Sequence, residues 1–214
     1  LRPLTLVTNK QLLPIYDKPM ILYPLKTLTD MDITDILLIS NGESIGTFMQ
    51  FLGDGSDYGA NLTYKVQKVA GGIAQAAGLA EDFVDEQFAV ILGDNIFGSA
   101  PTPPMASRCG IVLKEVENAT RFGVFHEGKI IEKPSEPLSK QAVTGLYFYT
   151  PDIFDFIRTQ MPSARGELEI TDVNNFCLEN FQTDIIQYED YWADAGTPDS
   201  LLAISNEIYA RKKK

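Results

Sequence analysis

The chain has 214 residues, 44% of them hydrophobic, enough for one sizeable core and no clear second domain. Its 18 basic residues stand against 29 acidic ones, a net charge of −11, which argues against a nucleic-acid surface because polyanion binding draws on clustered Lys and Arg. No apolar segment approaches the ~18–20 residues of a membrane span, and the opening residues do not read as a signal peptide.

In chain order, residues 1–8 read as an irregular start, and Pro14 and Pro19 exclude a long helix before Pro19. Residues 20–30 follow as a helix with Leu22, Leu25 and Leu28 near one face, and 35–40 as a strand. Ser44 is placed to cap a short helix through Leu52, and residues 53–56 form a turn cluster. Leu62 to Val66 alternates as a strand, Gly71-Gly72 breaks the chain, and the spacing of Ile73, Ala76, Ala77, Ala80 and Val84 predicts a helix over 73–84. Phe88 to Leu92 is an unbroken apolar run into Gly93 and Asp94, which predicts a strand buried on both faces of an α/β sheet.

Pro101, Pro103 and Pro104 mark a loop, 110–116 a strand, and 122–133 a hairpin turning at Glu127-Gly128. A strand over 142–149, a helix over 151–160 with Pro at its first position, a short helix over 171–180 and a strand over 183–188 complete the alternation. Thr197-Pro198-Asp199 opens a last helix whose buried stripe is Leu201, Ile204 and Ile208. The basic residues 211–214 complement its negative end. Strands alternating with helices define an α/β domain. Cys109 and Cys177 make no CxxC spacing and read as reduced core residues of a cytosolic protein.

Ligands of open α/β sheets bind beyond the carboxyl ends of the strands. Asp94 would stand at that rim as a ligand for a hard cation such as Mg2+, or it caps the next turn. Asp194, between Trp192 and the cap of the last helix, is a second metal ligand or a turn aspartate. Lys10, in a loop among apolar residues, either meets an anion or is solvated. Gln67 ahead of Gly71-Gly72 at a helix start is a backbone cradle for phosphate and base, or a plain turn. Lys133 after Glu132 either enters a cleft or is an exposed strand end. A single histidine, His126, leaves no basis for a His-based triad or a zinc site.

Several runs together resemble the sugar nucleotidyltransferases, most closely members that transfer a thymidylyl group to glucose 1-phosphate. They are Thr8 to Met20, Gly71 to Ala76, Leu92 to Phe97, Glu132-Lys133-Pro134, Ala142 to Tyr147, Ser163 to Asp172 and Trp192 to Thr197, which span essentially the whole chain. The resemblance implies a Rossmann-like nucleotidyltransferase fold, a mixed central sheet flanked by helices. It further implies one domain, with a nucleotide-binding part over about 1–116 and a sugar-binding part over about 117–214.

By that similarity the substrates are dTTP (or UTP) and glucose 1-phosphate, the products dTDP-glucose and pyrophosphate, and the cofactor Mg2+ held by Asp94 and Asp194. Lys133 neutralises the sugar phosphate and Lys10 the leaving pyrophosphate, while Gln67 and Gly72 bind the pyrimidine. Gly123, Glu132, Val143 and Gly145 line the sugar pocket. The expected setting is a cytoplasmic homo-oligomer with no membrane or nucleic-acid partner. The alternatives are uridylyl transfer to the same sugar phosphate, or a non-catalytic binding subunit of the same fold.

The family opens with a buried strand and a Gly-rich loop ahead of the residues that match Leu1, and that strand would lie centrally in the sheet. Without it, the neighbouring strand is expected to expose an edge. Relative to the family pattern, a helix is also expected between Phe97 and Cys109, where only a proline-rich stretch stands, and the hairpin over 122–133 is short.

Overall fold

The computed structural model describes residues 1–213. Single 3-10 turns at Leu4–Leu6 and Lys10–Leu12 lead into a small antiparallel hairpin of β1 (Pro14–Ile15) and β2 (Lys18–Pro19). The two prolines forbid a helix here and tolerate these short edges. Helix α1 (Leu22–Thr29) buries Leu25 and Leu28.

Strand β3 (Asp35–Asn41) pairs in parallel along its whole length with β4 (Asn61–Gln67), and α2 (Gly42–Leu52) crosses between them. The cap of α2 is Asn41 rather than the expected Ser44. The Asn41 side chain accepts a hydrogen bond from the Ser44 backbone N–H at 2.9 Å, so Ser44 is already the third helical residue. Helix α3 (Ile73–Gly78) is half the expected length. Past Gly78 the chain continues in tight turns, Leu79 N–H to Ala76 and Ala80 N–H to Ala77, before Glu81 and Asp82. A poor helix former followed by two acids at the negative end of the dipole ends the helix where apolar periodicity alone would carry it on.

The main sheet is six-stranded and mixed. Strand β11 (Thr183–Gln187) runs parallel to β7 (Cys109–Glu115), which pairs antiparallel with β10 (Gln141–Tyr149). On its other side β10 meets β8 (Gly123–His126) near Ala142, and then β5 (Phe88–Ile91) along Leu146–Tyr149. The hairpin β8–β9 (Lys129–Glu132) turns at Glu127-Gly128 as expected.

Side chains of β7 and β10 alternate between two cores, as the period of a strand requires. Ile111, Leu113, Tyr147 and Tyr149 face α3, α4 (Ile153–Thr159) and α5 (Ile170–Asn180). Val112, Leu146 and Phe148 face Trp192, Tyr188 and Phe97 on the opposite side. Each such fully buried side chain contributes roughly 1.5–3 kcal/mol. Pro151 lies ahead of α4 rather than inside it, and no helix forms over 98–108. Cys109 and Cys177 are free and buried, with their sulfurs 2.9 Å apart.

The strand expected to be buried on both faces is not β5. All four of its residues are only half-buried, and the doubly buried strand is β10. The reason is a cavity of about 1010 Å³ between β5 and β3, lined by Ile36, Leu38, Leu25, Ala77, Val90 and Leu92. It divides the β3–β4 pair from the main sheet. A strand of about seven residues, at ~3.3 Å per residue, ~4.8 Å from each neighbour and ~10 Å between layers, fills roughly 1,100 Å³. The cavity is thus comparable in volume to a single strand.

Two short strands carry the chain out of the main sheet, β6 (Asn95–Phe97) and β12 (Trp192–Asp194), paired antiparallel. Helix α6 (Pro198–Lys212) starts on a capping box: Ser200 N–H donates to the Thr197 hydroxyl at 3.1 Å, and Thr197 N–H to the Ser200 hydroxyl at 3.0 Å.

In the core, the Tyr149 hydroxyl donates to Asn174 Oδ1 at 2.7 Å, while Asn174 Nδ2 is already buried without a partner. Tyr149→Phe orphans the whole amide and is expected to lower the unfolding free energy by about 1–3 kcal/mol, measured as a shift of the urea midpoint. An unchanged midpoint removes this hydrogen bond from the stability of the core.

Candidate active site

After β5 the backbone makes a tight turn, with Leu92 N–H donating to Gly145 C=O at 2.8 Å and Asn95 N–H to Leu92 C=O at 3.1 Å. This turn holds Asp94 at the carboxyl end of the strand. The β6–β12 ladder sets Asp194 opposite Asn95, and Ala195 N–H donates to Asp94 C=O at 2.9 Å. Two carboxylates remote in sequence are thus neighbours.

Asn95, 3% exposed, ties the corner together. Its Oδ1 accepts from Gly145 N–H at 2.9 Å and from Trp192 Nε1–H at 2.8 Å, and its Nδ2 donates to Asp94 Oδ1 at 3.1 Å. Gly145 comes within reach because β10 bulges there: four steps from Val143 to Tyr147 oppose two on β7. The Thr144 hydroxyl fills the gap by donating to Val112 C=O at 2.9 Å. A Cβ on residue 145 would lie 2.5 Å from Asn95 Nδ2, so only glycine fits.

The Lys10 ammonium is ion-paired with Asp94 Oδ2. The Arg121 guanidinium is paired with Asp194 Oδ1 at 2.8 Å. Burial, and then the neighbouring Asp94 charge, push the Asp194 carboxyl above its ordinary range, with Arg121 and Lys10 opposing the shift.

A second group lies on the hairpin. Gly123 pairs with Glu132 across β8–β9. A Cβ at Gly123 would sit 3.5 Å from Glu132 Oε2 and 3.6 Å from Val143 Cβ, so these three residues line one wall. Glu132 Oε1 meets Lys133 Nζ at 3.0 Å and Arg165 Nη2 at 3.4 Å, and Oε2 accepts from the Thr171 hydroxyl at 2.5 Å. Lys133 has a left-handed backbone (φ 42°) that turns it away from the strand direction. Tyr147 stands between the two groups: burial raises its hydroxyl pKa, and the Glu132 and Asp94 charges add to the rise. Burial works against the Glu169 carboxyl, yet Arg165 and Ser163 hold it below its usual range.

The third group rims the cavity. Gln67 Nε2 donates to Gly72 C=O at 3.1 Å and to Gln75 Oε1 at 2.8 Å, and Gly71 N–H donates to the same Gln75 oxygen at 3.1 Å. Gly72 has φ 99°, and a Cβ there would lie 2.4 Å from Leu168 O, so the cradle requires glycine.

The structure therefore joins Lys10, Asp94, Asp194 and Gly145 at one corner, Gly123, Glu132, Lys133 and Val143 on one wall, and Gln67 with Gly72 on the cavity rim. Sequence reasoning gave no role to Asn95, Trp192, Arg121, Arg165 or Gln75. Arg165 with Glu169 shows an i,i+4 charge spacing that could have been read. Arg121 has no such signal.

Among the described residues, no group of three or more His, Cys, Asp or Glu side chains converges on a metal position. Two carboxylates still fit Mg2+, which commonly keeps waters and takes its remaining ligands from substrate phosphates.

A mixed sheet with Asp94 at the carboxyl end of one strand, paired with Lys10 and set beside Asp194, defines an α/β protein with a charged site at a strand end. The family model described as nucleotidyl transferase matches residues 1–211, and the chain belongs to that family. Among its relatives are glucose-1-phosphate thymidylyltransferases. That of Neisseria meningitidis serogroup A is 42% identical, covering 94% of this chain and 75% of the relative. That of Mycolicibacterium smegmatis is 41% identical, covering 97% and 77%. A solved Bacillus anthracis protein described as a glucose-1-phosphate thymidylyltransferase, in complex with sucrose, superposes with a TM-score of 0.90 at 43% identity, over 97% of this chain and 89% of that one. A UDP-glucose pyrophosphorylase bound to UDP-glucose, at 24% identity and TM-score 0.82, matches in fold.

Gly145→Ala is expected to push Asn95 off Asp94. A misplacement of about 1 Å lowers turnover by roughly 10²-fold, with a stability loss of about 1–3 kcal/mol from the overpacked corner. Pyrophosphate release and thermal unfolding read the two effects, and full activity in the variant would remove Asn95 from the positioning of Asp94.

Proposed function

We propose that this chain catalyses nucleotidyl transfer from dTTP to glucose 1-phosphate, giving dTDP-glucose and pyrophosphate. An oxygen of the sugar 1-phosphate attacks the α-phosphorus, the bond to the β-phosphate oxygen breaks, and pyrophosphate leaves in line. The observation that carries the reading is the corner itself: Asp94 bonded to one buried amide at the carboxyl end of β5, with Lys10 paired to it and Asp194 set beside it by the β6–β12 ladder. The choice of thymidylyl over uridylyl transfer draws on the relatives at 41–42% identity, which bear the thymidylyl name. Thymine and uracil differ by one methyl, which an apolar pocket discriminates by only ~1–3 kcal/mol, so some use of UTP is expected.

Under this reading Asp94 and Asp194 would hold Mg2+, which would supply positive charge against the phosphates. Lys10, already at the corner, neutralises the pyrophosphate. Lys133, at the end of β9, neutralises the incoming sugar phosphate. Gln67 and Gly72 take the pyrimidine, and Gly123, Glu132, Val143 and Gly145 take the sugar. Residues of about 1–116 then form the nucleotide half and 117–214 the sugar half. No nucleophilic side chain is needed, because positioning and charge neutralisation carry phosphoryl-type transfer. The family resemblance supports a cytoplasmic homo-oligomer.

Release of pyrophosphate from dTTP and glucose 1-phosphate, with and without Mg2+, tests the activity. Asp94→Asn is expected to lower kcat by at least about 10²-fold with the fold retained by circular dichroism; retained turnover would remove Asp94 from metal binding. Lys133→Ala is expected to raise the KM for glucose 1-phosphate by about tenfold or more through loss of a charge-assisted phosphate contact. An unaltered KM and kcat would refute that role.

A further inference from the structure

Both carboxylates at the corner are already neutralised by the chain's own cations. Asp94 is paired with Lys10, and Asp194 with Arg121. Two unit negative charges face two unit positive ones, so the corner offers a divalent ion almost no net charge. Asp94 and Asp194 also have no third carboxylate to share the ion with, among the described residues.

The Arg121 contact is built into the fold. Arg121 lies on the turn that closes when Phe122 N–H donates to Ala119 C=O at 3.0 Å. That turn is anchored by the edge-on packing of Phe122 against Trp192, with ring centroids 5.1 Å apart. Trp192 is bonded to Asn95, so the same amide that seats Asp94 also fixes the base of the Arg121 turn. Gly196 leaves the space: a Cβ there would lie 2.8 Å from Arg121 Nη2 and 2.6 Å from Asp194 Oδ1. The Arg121 side chain is half-exposed, 48% accessible, so it can move off Asp194 without unfolding anything.

We propose that Arg121 is a resident counter-cation that occupies Asp194 until the nucleotide arrives, and so suppresses divalent-metal binding to the free enzyme. The inference rests on the reading of Asp94 and Asp194 as the metal pair. Lys10 has an alternative partner once phosphates are present. On Asp194 it is Arg121 that the metal ion must displace, and the incoming phosphates supply the charge that makes the exchange favourable. Metal binding is thereby coupled to nucleotide binding, and the site is latent without substrate. Arg121 acts here as a positioning residue rather than a catalytic one.

The test is titration of the nucleotide-free full chain with Mn2+, following free Mn2+ by electron paramagnetic resonance. Removing one positive charge next to a divalent ion at a partly exposed site is expected to tighten Mn2+ binding by about five- to tenfold in Arg121→Gln. Arg121→Lys keeps the charge and is expected to stay within about twofold of the parent. Arg121→Met, which keeps an aliphatic stem without the charge, carries the same expectation as Gln should Gln fail to fold. An affinity in both neutral variants equal to or weaker than the parent's overturns the proposal. Asp194→Asn in the Arg121→Gln background separates the two readings. If it abolishes the Mn2+ binding, the metal pair stands and only the role of Arg121 is under test; if it changes nothing, the metal reading itself falls and the proposal with it.

Discussion

A single buried amide organises the candidate site. Asn95 has two acceptor lone pairs and two donor hydrogens, and the structure spends them on three different parts of the chain: the bulge of β10 at Gly145, the indole of Trp192 and the carboxylate of Asp94. A carboxamide is suited to this because it accepts and donates at once, whereas an aspartate in its place would add a third negative charge. Because Asn95 is nearly sealed from solvent, leaving any of these partners unpaired costs about 1–3 kcal/mol. The geometry around Asp94 is therefore held by backbone and core rather than by flexible surface side chains.

That rigidity matters because the chemistry assigned to the corner is electrostatic. Phosphoryl-type transfer is catalysed by placing charge where it develops, and charges placed in advance need not reorganise during the reaction. Asp194 is destabilised as an anion by burial and by Asp94, and it is stabilised by Arg121 and Lys10. The corner is thus a balanced set of four charges, Asp94 with Lys10 and Asp194 with Arg121.

The sheet around this corner is asymmetric. Its main part is doubly packed, with β10 buried along nearly its whole length between two cores. Its other part, β3 and β4, stands across a strand-sized cavity from β5. That gap explains why Phe88–Ile91 is only half-buried, although its composition is that of an interior strand. Burial depends on what lies on the far edge of a strand, and composition reports only what a strand is able to tolerate.

Local rules fixed much of this molecule in advance. The prolines, the Glu127-Gly128 turn, the capped start of α6 and the periodic strands were legible because each depends on a few adjacent residues. The family was legible too, from long ordered motifs. Helix α3 ended early and Asn41 displaced Ser44 as a cap, because competing local signals could be ranked only with the folded chain in view. For Asp94 and Asp194, residue types alone left a metal ligand and a turn residue equally open. Their convergence is a property of the β6–β12 ladder, and the roles of Asn95 and Arg121 belong to the same class. The sequence by itself determined the longer strands and the Glu127-Gly128 turn, because those preferences act over a few bonds, whereas the short strands β6 and β12 carried no such signal. Only the tertiary structure decided which charges meet, because Coulomb attraction and hydrogen bonding depend on distance through space, not separation along the chain.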